Sequence, residues 1–203
     1  MYLCTFLIEV DNMKRKILLV DDDPLIRADI KDMLLDRGYN IIGEACDGFE
    51  AVEECKKHSP DLVILDIDMP ILDGIKAGKI INKENLAGGI LLLTSFDGDE
   101  YIEKAKSIGA FGYIVKPPNE KIIIPTIEMC LSKVEEFEKM KKNLDDINSK
   151  LTERKIIEKA KGILIKEYSI TEEDAYSRIR KLSMDKRTTM VEISKTIIIG
   201  YDA

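Results

Sequence analysis

Four strand ends in this chain carry side chains that could do phosphoryl chemistry if the fold brought them together. Asp21-Asp22 follows the apolar run Ile17–Val20, and Asp66 follows Leu62–Leu65. Thr94 follows Ile90–Leu93, and Lys116 follows Gly112–Val115. Two or three carboxylates converging on Asp66 would repel one another strongly in a partly dry cleft. A divalent cation offsets that repulsion, and Mg²⁺ favours a few carboxylates together with waters and phosphate oxygens. The Lys116 ammonium and the Thr94 hydroxyl are suited to hold a phosphoryl group. The set therefore fits in-line phosphoryl transfer to a carboxylate nucleophile. Taken singly, an Asp-Asp after a strand is a turn or a helix cap, and a Thr or Lys at a strand end says nothing. The order of all four carries the reading.

The elements that must position them are legible around Asp61-Leu-Val-Ile-Leu-Asp66-Ile-Asp-Met-Pro-Ile-Leu-Asp-Gly74. Leu62–Leu65 is apolar on both faces, as in the middle of a parallel sheet covered by helices. It stops at Asp66, with turn formers at Pro70, Asp73 and Gly74. Five such strands are expected at Ile17–Val20, Ile41–Ala45, Leu62–Leu65, Ile90–Leu93 and Gly112–Val115. Helical patterns alternate with them at Pro24–Arg37, Phe49–Lys57, Ile75–Asn82 and Glu100–Ser107. This βα alternation predicts an α/β fold with a five-stranded parallel, doubly wound, flavodoxin-like sheet. In open sheets of that class, ligands sit at the carboxyl ends of the strands.

These residues resemble the receiver domain of bacterial two-component response regulators over roughly Lys14 to Leu131. The resemblance rests on Leu18-Leu-Val-Asp21-Asp22, Leu65-Asp66-Ile-Asp-Met-Pro70, Leu93-Thr94-Ser95 and Tyr113-Ile-Val-Lys116-Pro117. It implies that Asp66 is the phospho-acceptor, fed by a sensor histidine kinase. It implies that Asp21, Asp22 and Asp66 bind Mg²⁺, with Asp68 helping through its backbone carbonyl. Thr94 and Lys116 would read the phosphate, and Tyr113 would match the aromatic switch that turns inward when the threonine moves.

Composition places the chain among cytosolic proteins with a real core. Hydrophobic residues make up 45% of its 203 residues, as in ordinary globular domains. The four cysteines, Cys4, Cys46, Cys55 and Cys130, show no CxxC spacing, and His58 is the single histidine. A zinc site is not expected, and the cysteines read as reduced, buried thiols. Met1–Val10 is apolar but lacks a basic leader and is too short to span a bilayer. Residues 1–13 read as an N-terminal extension, of which 1–12 are expected to be non-native or mis-called. The net charge of −7 is uneven. From Lys150 onward there are 12 Lys/Arg against 9 Asp/Glu, and before it 19 against 29. A basic tail on an acidic body hints at a polyanion partner.

Beyond the receiver-like segment (14–131), Pro117-Pro118-Asn119 is a rigid turn, and Pro125 is expected in the first turn of the next helix or as its kink. No stop signal then appears for about 25 residues. Phe137, Met140, Leu144, Ile147 and Leu151 are spaced 3, 4, 3, 4. That is a heptad seam, so residues 132–151 read as a coiled-coil linker with a homodimer as the default; the alternative is a single amphipathic helix on its own chain. Residues 152–203 read as three helices, Glu153–Lys166, Glu172–Leu182 and about Met190–Ile199. Gly162 inside the first costs about 1 kcal/mol relative to Ala, which points to close approach of another backbone, protein or nucleic acid.

This tail resembles the ANTAR domain, the RNA-binding output module of AmiR/NasR-type transcription antiterminators. The matching residues are Glu158-Lys-Ala160-Lys-Gly162-Ile-Leu164, Glu173-Asp-Ala175-Tyr176, Arg178-Ile-Arg180 and Met184-Asp-Lys-Arg187; Ser183 departs from the family's usual Ala. The resemblance implies binding of paired RNA hairpins in a nascent leader, which keeps a terminator from forming. Lys159, Lys161, Gly162, Arg178, Arg180, Lys186 and Arg187 are the expected contacts, with Tyr176 a stacker on a loop base or a core residue. Leu72-Asp-Gly-Ile-Lys-Ala-Gly78 and Ile124-Pro-Thr-Ile-Glu-Met129 are similar to regulators of ethanolamine-utilisation operons within this group, which would imply a kinase that senses ethanolamine. The rival reading is a DNA-binding response regulator. The last helix argues against it, because it is apolar with Lys195 as its cation, whereas a recognition helix carries base-reading polar side chains. A separate enzymatic output is not expected from about 50 residues without a second acid/base constellation.

Overall fold

The computed structural model describes residues 15–95 and 98–202; the N-terminal extension and Cys4 lie outside them. Strands β1 (Lys16–Val20), β2 (Asn40–Ala45), β3 (Leu62–Asp66), β4 (Ile90–Thr94) and β5 (Gly112–Val115) form one sheet in the order β2-β1-β3-β4-β5. Every pairing is parallel. Helices α1 (Pro24–Asp36), α2 (Gly48–His58), α3 (Gly74–Lys83) and α4 (Asp99–Ser107) fill the crossovers. Three more follow: α5 (Glu120–Tyr168), α6 (Glu172–Lys186) and α7 (Met190–Asp202).

The strand side chains alternate between two cores, the period of two that a pleated strand imposes. Leu18, Val20, Val63, Leu65 and Leu92 pack with Ala51, Val52 and Cys55 of α2, Ala77 and Ile81 of α3, and Ala105 of α4. Ile17, Leu19, Leu62, Ile64, Leu91 and Leu93 pack with Ile30 and Leu34 of α1 and with Ile123, Ile127 and Cys130 of α5. Each fully buried Leu, Ile or Val contributes about 1.5–3 kcal/mol. The strands are thus held at fixed register, and their last residues are held with them.

Short-range chemistry sets the helix starts. Asp23 caps α1, accepting from the backbone N–H of Leu25 at 2.8 Å. Asp47 caps α2 in the same way, and Glu50 reaches back to the Cys46 N–H at 3.0 Å, a reciprocal arrangement close to a capping box. Cys55 and Cys130 are buried, and burial pushes their thiols up to about 12 and about 11. Cys46 is exposed instead, because it precedes a cap in an open turn.

Gly74 opens α3 directly behind the end of β3. A Cβ there would stand 1.9 Å from the Asp66 carbonyl oxygen, so even a methyl group forces backbone apart. Overpacking of this kind typically costs about 1–3 kcal/mol. Gly74→Ala should therefore lower the urea unfolding midpoint of the chain, and an unchanged midpoint would show that α3 can slide away at no cost.

Helix α5 differs from expectation. Pro125 lies in its second turn, past the first, and the helix continues without a break through the linker and the segment Glu153–Lys166. Nothing between Thr126 and Lys161 is a Gly or Pro, and Gly162 alone does not stop a helix already propagating. The chain divides into two compact units, residues up to Glu138 and residues from Lys139 onward. In the first unit the root of α5 is pinned by an ion pair from Arg15 to Glu135. Phe137 stacks on Phe111 with ring centroids 5.5 Å apart, so this first seam residue already has an intramolecular partner. Met140, Leu144, Ile147 and Leu151 are exposed.

The second unit has a small core of Ala160, Leu164, Ala175 and Ile179, with Met190, Ile193, Ile197 and Ile198 packed against it. Ser183 is buried, and its hydroxyl donates to the Arg180 carbonyl at 2.7 Å. The departure from Ala thus leaves no unsatisfied donor. Helix α6 runs to Lys186, beyond the expected Leu182, and stops where Arg187 adopts a left-handed φ of 52°.

Candidate functional site

The site is built where the strands end. Val20 lies opposite Leu65 in the β1–β3 register, and Asp66 lies opposite Leu93 in the β3–β4 register. Asp21, Asp66 and Thr94 therefore emerge side by side, at the point where the order of strands reverses about β1 and β3. Asp66 is 2% exposed, and Asp21 and Thr94 are equally buried. Lys116, one residue past β5, is brought alongside by its own backbone, whose N–H donates to the Thr94 carbonyl at 2.7 Å. Its Nζ stands 2.7 Å from Asp21 Oδ2 and 2.9 Å from Asp66 Oδ2.

Each carboxylate is held by a second contact. Asp66 Oδ1 accepts from the N–H of Ile67 at 2.8 Å. Asp21 Oδ1 accepts from the N–H of Asp23 at 3.0 Å, while Asp21 Oδ2 is buried with no aligned hydrogen bond and faces the Lys116 ammonium. Burial pushes the Asp66 carboxyl above its ordinary range, against the pull of Lys116. Burial alone would lower the Lys116 ammonium. Its contacts with Asp21 and Asp66 outweigh that, and the group ends above its ordinary value.

The charge balance bears on a cation. Asp22 is exposed, yet its carboxylate joins those of Asp21 and Asp66, with oxygens all within 4.8 Å of one another. Three negative charges face one ammonium, an excess of two. A hard divalent cation with oxygen ligands matches that donor set, and the incompletely satisfied Asp21 Oδ2 supplies an available lone pair. The Asp68 side chain is exposed and stands outside the carboxylate cluster; the role expected of Asp68 belongs to its backbone carbonyl. Asp23, third in the acidic run, is committed to capping α1. Tyr113 lies opposite Leu92 and is partly buried against the core under α2, α3 and α4.

Two contributors were not foreseen from the sequence. Arg27 donates from Nη1 to the Asp21 carbonyl at 2.6 Å and from Nε to Glu44 at 3.0 Å, fixing the backbone under Asp21. Its partner comes from β2, so no local pattern could announce it. Gly74 could be read as a turn former, but its contact behind Asp66 is tertiary.

In the second unit the expected RNA contacts separate into two groups. Arg178, Arg180, Lys186 and Arg187 are exposed on α6 or at its end, and none makes an ion pair among the described residues. Lys161 is different. Its side chain is 8% exposed, and its Nζ lies 2.8 Å from Glu158 and 2.7 Å from Glu172, two carboxylates that raise its pKa. Lys159 is exposed. Gly162 is also exposed, and a Cβ there would meet no atom within 4 Å. The close backbone approach expected at Gly162 is thus not made within the described chain. Tyr176 is 44% exposed and not a core residue.

Two known protein families match the chain, one in each unit. The response regulator receiver domain family matches residues 17–128, and the ANTAR domain family matches residues 145–198. The transcriptional regulatory protein PdtaR of Mycobacterium tuberculosis is 40% identical over 184 residues, covering 91% of this chain and 89% of PdtaR. The chemotaxis protein CheY of Bacillus subtilis is 38% identical over 120 residues, covering 59% of this chain and all of CheY (100%). Among solved structures, a LuxR-family two-component response regulator from Aurantimonas is 32% identical, with a TM-score of 0.55 over 59% of this chain and 86% of that one. The CheX–CheY–BeF3–Mg complex from Borrelia burgdorferi matches at 29% identity and a TM-score of 0.53, over 56% of this chain and 86% of that one.

Proposed function

The chain belongs to the response regulators that join a receiver domain to an ANTAR domain, and from that premise we propose that it is switched by phosphorylation of Asp66 to bind leader RNA hairpins as a dimer and so prevent transcription termination. Its architecture is that of a regulator without a separate catalytic domain. The observation that carries the first half is Asp66 itself, buried at the end of the central strand with Lys116 and Asp21 against it. The phosphodonor is a histidine kinase, and the protein acts in the cytoplasm. No helix among the described residues is long and apolar enough to cross a membrane.

An Asp66 carboxylate oxygen attacks phosphorus in line; the P–N bond of a phosphohistidine breaks as the P–O bond forms, and the leaving imidazole keeps its electron pair. Lys116, already between two carboxylates, supplies positive charge to the incoming phosphoryl oxygens. The Thr94 hydroxyl turns toward them, and Tyr113 follows into the space this opens. Asp21, Asp22, Asp66 and the Asp68 carbonyl would hold Mg²⁺, which neutralises charge shared by the carboxylates and the phosphoryl group.

The RNA half is supported by the row of cations on α6 that have no carboxylate partner among the described residues. By contrast Lys195 on α7 is paired with Glu192 at 2.9 Å, which leaves α7 poorly equipped as a DNA recognition helix. Titration against leader RNA and against duplex DNA of the same sequence tests this. RNA should bind and DNA should not; tighter binding to DNA would overturn the assignment. Arg180→Ala with Arg187→Ala should weaken RNA binding and flatten its dependence on log salt by about 1 for each phosphate contact removed. Lys161→Ala should leave that slope unchanged, because its charge is spent on Glu158 and Glu172. A slope reduced as much by Lys161→Ala as by the arginine changes would place Lys161 on the RNA.

A further inference from the structure

We propose that Tyr168 and Arg178 form a stacking platform for one unpaired nucleobase of a hairpin loop. The proposal rests on the RNA-binding reading and adds to it a residue, Tyr168, and a class of ligand. Tyr168 is the last residue of α5 and is 60% exposed. The Arg178 guanidinium carbon lies over its ring, 5.3 Å from the centroid. The guanidinium makes no hydrogen bond or ion pair among the described residues. An arginine on a small acidic-rich helix would be expected to pair with a carboxylate, and Glu172, Glu173 and Asp174 are all within the preceding turn or two. It lies over an exposed aromatic face instead.

The platform is held rigidly. Ser169 turns the chain with a φ of 52° immediately after Tyr168. Thr171 then caps α6, accepting from the Asp174 N–H at 3.1 Å. Ring and guanidinium are thus carried by a helix end and by the second turn of the next helix, across a short connection with both of its ends fixed. Their backbone anchors are set before a ligand arrives, so little backbone ordering opposes binding.

The chemistry selects the ligand. Aromatic rings and guanidinium planes both stack on bases, and every base has a π face. The guanidinium keeps N–H donors for a phosphate or a base edge while its plane lies over the ring. A paired base in an A-form stem has no free face to offer, and a phosphate alone has no use for the ring. The fitting ligand is an unstacked loop base together with its own phosphate. Tyr176, by contrast, has no cation over its ring among the described residues.

The test uses the full-length phosphorylated chain and a synthetic leader RNA with two hairpins, intact or with single loop nucleotides made abasic. Tyr168→Ala should weaken binding to the intact RNA by about 5- to 150-fold per site, the worth of one base–aromatic stack. Tyr168→Phe should bind as the wild type does. One abasic position should reproduce the loss in the wild type, and Tyr168→Ala should lose nothing further on that RNA. The chain has no tryptophan, so Tyr168→Trp installs a single reporter whose emission should be quenched by the intact RNA and not by the abasic one. If the wild type binds and Tyr168→Ala binds equally well, or if its loss is the same on every abasic RNA, the platform is wrong while the RNA reading stands. If the wild type binds no RNA, both fall.

Discussion

Asp66→Ala is expected to take no phosphoryl group from a small phosphodonor in Mg²⁺, where the wild-type chain takes one. The expectation is all-or-none because, among the described carboxylates, Asp66 alone ends the central strand β3. Asp21 is as buried and shares Lys116 with it, but it follows β1, off the centre of the sheet, and its backbone carbonyl is tied to Arg27. Asp22 is exposed and has no ammonium in contact among the described residues. Asp66 offers one oxygen to Lys116 and the other to its neighbouring N–H, so an incoming phosphoryl group meets an oriented nucleophile beside a fixed positive charge. Removing Mg²⁺ with a chelator should likewise abolish labelling of the wild type. Phosphoprotein mass analysis reads both results, and undiminished labelling of Asp66→Ala would move the acceptor elsewhere.

Leu144→Lys should abolish dimerisation of the phosphorylated chain and leave labelling at Asp66 intact. Leu144 is 61% exposed at the centre of an unbroken helical stripe with Met140, Ile147 and Leu151. Such a contiguous apolar stripe on a long helix suits a protein-facing surface. A dimer would bury two copies of Leu144 at about 1.5–3 kcal/mol each. Their loss alone weakens association by roughly 10²–10⁴-fold, and two ammonium groups brought face to face add to it. Phe137→Ala should have a smaller effect on the dimer, because its ring is already stacked on Phe111. Sedimentation of the phosphorylated proteins distinguishes these outcomes; a Leu144→Lys chain that still dimerises would place the interface elsewhere.

The sheet was legible because unbroken runs such as Leu62–Leu65 and Ile90–Leu93 have one comfortable setting, between two layers of helices. The strand ends were legible for the same reason: a carboxylate or hydroxyl that closes such a run can face only the carboxyl edge. What could not be read was whatever depends on a partner distant in sequence. Arg27 under Asp21 needs Glu44, Gly74 needs the back of Asp66, and the commitment of Lys161 to Glu172 needs two helices to pack. The length of α5 was missed because residues 153–166 were expected as a separate helix. Propensity marks where a helix can continue, and a break between domains need not break the helix. Tyr168 is not legible in the sequence because an aromatic at a helix end has no periodicity; the guanidinium over its ring marks it.

Two ANTAR units joined through the α5 stripe would read two hairpins with one binding event made intramolecular, raising avidity by roughly 10²–10⁴ without any new contact. The cations on one α6 are too few for tight binding by a single copy at physiological salt. A titration of the phosphorylated chain against leader RNA with one hairpin and with two therefore tests the account at its centre. The two-hairpin RNA should bind at least 100-fold more tightly, and the difference should vanish in Leu144→Lys. Equal affinity for the two RNAs would contradict it.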